Sequence, residues 1–301
     1  MEQEKKEKSY TAQVAEQVIK ENRIKEYVRN HLYAQYNHLR FTVGEYPVLI
    51  APFGSWNYGL QHEGSDMDSY AYMNPSYESI IFGKKEIPQE VKFQMLEEMP
   101  EDIISIKCIS NLFKGVAAGS PTALEIINSP HQMFSHYEFG EYHKKLQGLA
   151  AEVTMKMPFR VLMNLIKMGQ NNLKRANGVQ LEYNPERRKK QILTAFRAVE
   201  MIEAYMAGKS YYQMLITSVP EKSGYHIAKH FMEVDEENVR LAWNMAYSRL
   251  EHLERNIHEL YGSVPQQIEW ELEVKGKALW KEYVTKKIVI PAIEKEENIL
   301  T

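Results

Sequence analysis

Residues 48–72 read V-L-I-A-P-F-G-S-W-N-Y-G-L-Q-H-E-G-S-D-M-D-S-Y-A-Y. The apolar run from Pro47 to Phe53 is short and unbroken, bounded by Gly-Glu-Tyr on one side and Gly54-Ser55 on the other. That length and continuity predict a strand buried on both faces. A short helix or turn is expected over 55–60, and a second strand over 66–73. Alternate residues of a strand point to one face, so Asp66, Asp68, Tyr70 and Tyr72 belong together. Both carboxylates would then project toward the loop that carries Gly54-Ser55. Two hard oxygen ligands beside a glycine turn suit a divalent cation bearing a phosphate, since Mg²⁺ is usually held by one or two carboxylates together with substrate phosphates.

Working outward, Val14, Val18, Ile24, Val28, Leu32, Tyr36 and Leu39 fall mostly at three- and four-residue steps, which predicts an amphipathic helix over 10–39 ahead of the first strand. Downstream, D-I-I-S-I-K (102–107) reads as a third strand running into a helix over 109–118. Gly119-Ser120-Pro121 breaks that helix, and another begins at Thr122 and runs to Asn128. Beyond Pro130 strand signals fade. Helices are expected over 139–153, 158–176, 185–207, 237–261 and 265–287, separated by Gly, Pro and Asn. No fixed-period repeat is present. The fold class is therefore α+β: a small mixed β-sheet with flanking helices, then a largely α-helical C-terminal half. The expected organisation is an N-terminal helix in 1–45, a catalytic core in 46–150 and a helical domain in 151–301.

The chain has 301 residues and a formal net charge of -3, with 44% hydrophobic and 26% charged residues. This is ordinary globular composition with no overall bias toward polyanions, so any nucleic-acid binding must come from a local basic patch. Cys108 is the single cysteine, which removes internal disulfides and cysteine-based zinc sites. In its apolar surroundings it reads as an inert thiol. The charged start M-E-Q-E-K-K-E-K lacks a signal-peptide core, and no apolar run approaches the roughly 20 residues of a membrane span. No membrane association and a cytoplasmic location are expected.

A third carboxylate on a neighbouring strand would complete a two-metal site. Asp102 is the candidate, sharing a strand face with Ile104 and Ile106. Glu101 points the other way and stands in reserve. The arrangement of apolar strand, Gly54-Ser55, a gap of eleven to Asp66, and then Asp68 resembles the nucleotidyltransferases of the DNA polymerase β superfamily. More narrowly it is similar to a predicted bacterial and phage subgroup, some of whose members lie beside RNA ligases. That subgroup reads Gly-Ser-Arg-Ala-Tyr-Gly-Leu, a short turn, then Ser-Asp-x-Asp. The likeness continues through L-F-K-G-V-A-A-G-S-P-T-A-L-E-I-I (112–127) and K-Q-I-L-T-A-F-R (190–197), and is absent beyond residue 208.

The resemblance implies a transferase that moves an NMP from an NTP, ATP among them, to a hydroxyl with release of pyrophosphate. It implies Mg²⁺ or Mn²⁺ on Asp66, Asp68 and Asp102, with an RNA end as first candidate acceptor. Gly54, Ser55 and Ser65 would hold phosphates, and Lys190 and Arg197, two helical turns apart, would neutralise phosphate charge; of the aromatics near this stretch, Trp56, Tyr58, Tyr70 and Tyr72, the candidates to stack on a base are Trp56 and Tyr58, with packing the alternative use. There are departures. Trp56 stands where the subgroup has arginine, and Gln191 and Thr194 replace both histidines of its helical motif. Two other readings stay open: a nucleotide-binding regulatory protein without turnover, and a toxin-like enzyme that nucleotidylates tRNA or protein.

Other features weigh less. Glu125, on an Ala-Leu-Glu-Ile-Ile helix, either assists the site or serves as a cap or buried partner. His226 and His230 have metal-ligand spacing but no third ligand. Leu60 stands where a P-loop needs lysine. Arg187-Arg188-Lys189-Lys190 opens one helix, and Arg160, Lys167, Lys174 and Arg175 run along another. These either form solvated helix faces or converge in a basic groove for RNA, which their placement in space decides.

Overall fold

The computed structural model describes residues 10–58, 65–76, 80, 89–177, 184–216, 224–263 and 265–292, with the side chains of 10–23, Tyr58 and His136 excepted. Helix α1 (Tyr10–Val43) precedes strand β1 (Leu49–Pro52), a one-turn helix α2 (Ser55–Tyr58), β2 (Ser69–Met73), β3 (Glu90–Phe93) and β4 (Asp102–Cys108). Helices α3 (Ile109–Ala117) and α4 (Pro121–Asn128) follow, then a two-residue strand β5 (Met133–Phe134). The rest of the described chain is helical: α5 (His136–Lys156), α6 (Pro158–Ala176), α7 (Pro185–Met206), α8 (Tyr211–Ile216), α9 (Gly224–Val234), α10 (Glu236–Tyr261) and α11 (Gln266–Val284), which ends in a π-helical turn, Thr285–Val289. The expected α+β class with a helical C-terminal half is what the chain adopts.

The sheet has strand order β3-β4-β2-β1-β5. Strands β2 and β4 are parallel, with Ser69 opposite Ile104 and Tyr72 opposite Lys107; the other pairings are antiparallel. The interior strand β1 is buried throughout, as its unbroken apolar run requires. The two edge strands, β3 and β5, carry no sequence signal strong enough to predict them.

Each face of the sheet has its own core. Helix α1 covers one face with Val28, Leu32 and Leu39 against Ile50, Met67, Ala71, Met73, Ile104 and Ile106. The opposite face, with Leu49, Ala51 and Tyr72, joins a larger cluster that continues through α3 to α11 and ends at Ile288. A division near residue 150 thus marks a change of composition, while the packing runs through it.

Helix α11 returns from the far end of the chain onto α3. Gly276 makes this possible: a Cβ there would lie 2.6 Å from the Ala117 Cβ. Phe113, Phe139, Tyr142, Trp280 and Tyr283 meet around the contact, and the Tyr283 hydroxyl donates to the Asn74 side-chain oxygen at 2.5 Å.

Candidate active site

The Asp66-Met67-Asp68 segment leads into β2 and is held through four of its six backbone groups. The Trp56 indole N–H donates to the Asp66 carbonyl at 2.7 Å. The Met67 carbonyl accepts from Gln35 Nε2 at 2.8 Å, and the Met67 N–H donates to Asp102 Oδ1 at 2.7 Å. The Asp68 carbonyl accepts the Phe53 N–H at 3.1 Å, and Asp68 Oδ1 accepts the Ile103 N–H at 2.9 Å. Buried polar groups satisfied in this way fix one geometry. The two carboxylates therefore sit on a rigid floor at the end of β1, on the face turned toward the helical half.

Asp102 does not join them. With Ser69 opposite Ile104, continuing the parallel register places Met67, not Asp66 or Asp68, beside Asp102. Asp102 shares the buried face with Ile104 and Ile106, as strand parity predicts, but that face lies under α1. Its carboxylate is 1% exposed. It is occupied by His31 Nε2 at 2.5 Å, Gln35 Nε2 at 3.0 Å and the Met67 N–H. Burial acts to raise the Asp102 pKa, but these hydrogen bonds outweigh it and hold the carboxyl below its ordinary value. The expected third metal ligand is thus a positioning residue, fixing the segment between the two aspartates from behind. Glu101, the reserve, is exposed and paired with Lys92 at 2.7 Å.

Burial, foremost, and the neighbouring Asp66 charge push the Asp68 carboxyl above its ordinary value, against the Ile103 N–H and Lys190. A like-charge pair of this kind is stabilised by a cation. The chain supplies one of its own, since Lys190 Nζ on α7 lies 3.7 Å from Asp66 Oδ1. Among the described residues no cluster of three or more acidic, histidine or cysteine side chains forms. Two carboxylates in one place match the one or two that proteins usually offer magnesium, which phosphate oxygens and water complete.

The other expected contacts divide. Gly54 takes φ +78°, a conformation that glycine adopts without strain, and so turns the chain from β1 into α2. Its N–H donates to Glu125 Oε1 at 2.8 Å, which also accepts from Asn57 Nδ2 at 2.8 Å. Asn57 in turn accepts from Ser129 Oγ. Glu125 thus anchors the turn and takes up the Gly54 amide, leaving Ser55 as the phosphate-facing candidate. Ser65 immediately precedes the aspartates and is half-buried.

Trp56 is 8% exposed and stacks on Tyr27 with ring centroids 5.3 Å apart. Packed in the α1 core, it is not available to a base. The side chain of Tyr58, together with residues 59–64, lies outside the described residues. Lys190 reaches the site, but Arg197 does not. The Arg197 guanidinium is 6% exposed and donates to the Met214 carbonyl at 2.6 Å, with Glu200 at 3.7 Å. Its two-turn spacing from Lys190 is real, yet it joins α7 to α8 inside the core.

Lys107 escaped the sequence reading. On β4 it shares parity with Ile103 and Ser105, the face next to Asp68 and Tyr70, and its Nζ lies 4.2 Å from the centroid of the Tyr70 ring. Burial lowers the Lys107 pKa, and burial, followed by the Glu125, Glu90 and Asp68 charges, raises that of Tyr70. The strand parity that puts Asp102 under α1 puts Lys107 on the opposite face of β4, over the Tyr70 ring, and is the signal that finds it. No known protein family matches the chain, and no curated protein does.

Proposed function

We propose that the protein is a nucleotidyltransferase that moves an NMP from an NTP to a hydroxyl acceptor, an RNA end being the first candidate, with release of pyrophosphate. One observation carries this reading: Asp66 and Asp68 project together from a rigidly held segment beside the Gly54 turn, with a lysine from the helical half already at the pair. Magnesium or manganese, when bound by these carboxylates, would supply charge neutralisation at the triphosphate.

The chain's own residues supply the rest. Asp66 and Asp68 fix where the triphosphate sits, and Ser55, at the first turn after Gly54, offers a hydroxyl and an N–H to its oxygens. Lys190 approaches the same floor from α7 and balances negative charge. Phosphoryl transfer asks a protein mainly for positioning and electrostatic stabilisation, and a floor locked by Gln35, Asp102, Trp56 and Ile103 is suited to positioning.

Incubation with each α-labelled NTP, Mg²⁺ or Mn²⁺ and total RNA tests the proposal. Label should transfer to a macromolecule and should fall by at least about 100-fold in Asp66→Asn with Asp68→Asn, the scale of losing a principal electrostatic stabiliser. Transfer that survives the double substitution would sink the mechanism.

A second reading, a nucleotide-binding regulator without turnover, draws on two observations: Asp102 is withheld from the pair, and the Gly54 amide is committed to Glu125. NTP binding with no transfer to any acceptor would favour it. Label on protein or tRNA instead would make the same chemistry toxin-like.

A further inference from the structure

Among the long helices of the described residues, only α6 carries no Asp or Glu in its sequence, P-F-R-V-L-M-N-L-I-K-M-G-Q-N-N-L-K-R-A. Its apolar side, with Val161, Leu162, Leu165, Ile166 and Leu173, is buried. Arg160, Asn164, Lys167, Asn171 and Arg175 recur at steps of three and four and so form one stripe on another side. At 1.5 Å per residue the stripe is about 22 Å long.

The five residues of that stripe all line a single open groove of about 430 Å³, which Ser120, Pro121 and Thr122 at the start of α4 also line. Among the described residues three cations line it and no acidic residue does. Arg160 is paired with Glu269 at 2.8 Å, whereas Lys167 and Arg175 have no ion pair among the described residues. Asn164 donates to the Ala118 and Gly119 carbonyls, fixing the wall between α6 and α4. A solvated helix face would mix both signs of charge, as the other long helices do. A concave stripe of cations and amides is built for an extended anion.

We propose that this groove binds the phosphodiester backbone of a single-stranded nucleic acid. The length of the stripe fits a chain of phosphates better than one phosphate, and arginine and lysine are the usual partners of such a backbone. Among the described residues no aromatic side chain lines the groove, so recognition is of backbone charge and not of bases. Its position connects it to the carboxylates: α4 begins in the groove wall and, roughly 6 Å further along its axis, presents Glu125 to the Gly54 amide. A strand lying in the groove would have its end near the Gly54 turn. That acceptor role rests on the nucleotidyl-transfer reading; the binding itself does not.

Binding of a short labelled single-stranded RNA to the full chain, followed by fluorescence anisotropy across a salt series without nucleotide, tests the groove. Lys167→Gln with Arg175→Gln should weaken binding about tenfold at low salt and flatten the log K against log salt slope by about 1.4, since each phosphate contact to a single strand contributes about 0.7. The control pair Lys174→Gln with Lys209→Gln removes the same charge outside the groove and should change neither. Circular dichroism confirms that each variant is folded.

Absence of binding by the wild type, an unchanged groove variant, or equal loss in the control pair would overturn the proposal. So would displacement of the RNA by polyglutamate as readily as by unlabelled RNA, which would assign the groove to an acidic protein. Because the assay contains no NTP, its failure leaves the transfer experiment to be judged separately, and the converse holds.

Discussion

Two partly buried aspartates of neighbouring strands are shifted in opposite directions, because one is given three hydrogen-bond donors against its burial and the other a single one. Asp102 has three, and its carboxyl stays below its ordinary value. The stability it contributes is present above the unfolded carboxylate pKa and is lost as pH falls through the lower folded one. Asp68 has one backbone donor and a like-charged neighbour, and its carboxyl is raised. Its cost to stability is absent at low pH and appears as pH rises through its ordinary and then its folded value. In metal-free protein at neutral pH, Asp102→Asn should therefore lower stability, by about 1–3 kcal/mol for donors left without an acceptor, while Asp68→Asn should raise it slightly. Both differences should shrink toward pH 3. Urea unfolding of the two variants at both pH values checks the signs, and equal signs at neutral pH would contradict this account. Sequence parity already placed Asp102 with Ile104 and Ile106. It could not say which face of β4 lies beside which face of β2, because register between strands 35 residues apart is a tertiary fact.

Elements with a long, regular apolar pattern were legible. Helix α6 begins and ends at the residues its sequence predicts, and β1, β4, α3 and α10 lie within a residue or two of expectation. The unpredicted elements are those whose identity comes from neighbours. Strands β3 and β5 are four and two residues long at the sheet edges, too short for alternation to register. Helices α8 and α9 lie in a stretch punctuated by Gly208, Ser210, Ser218, Pro220 and Gly224. The contact of α11 with α3 depends on a glycine with no local explanation. Alanine at Gly276 would gain about 1 kcal/mol in helix propensity, but its Cβ would meet Ala117 at 2.6 Å, and overpacking costs about 1–3 kcal/mol. The clash is backed by the buried aromatic cluster and should win. Gly276→Ala is expected to lower the urea midpoint, and a rise would show that the two helices can separate without loss.

Across the whole molecule, the C-terminal helix belongs to the same apolar cluster as the central strand. Ending the chain at residue 263 would remove Leu272, Tyr283 and Ile288 from that cluster and uncover Phe113, Phe139 and Tyr142. At about 1.5–3 kcal/mol for each fully buried side chain, the loss rivals a typical total stability of about 5–15 kcal/mol. The shortened chain should fail to fold as a soluble unit, as judged by circular dichroism and protease resistance, even though every site residue is retained. A folded, protease-resistant product would show that the sheet and its first helices stand alone.

The pairing of Lys190 with Asp66 joins the two halves of the molecule in another sense. An ion pair at 3.7 Å between exposed groups is worth at most about 1 kcal/mol, so it is a placeholder that is easily exchanged. At rest the carboxylates are partly neutralised from within. On the proposed function, nucleotide arriving with its cation would release the lysine from the aspartate and make it available to the phosphates, so that the same positive charge would serve first as plug and then as clamp.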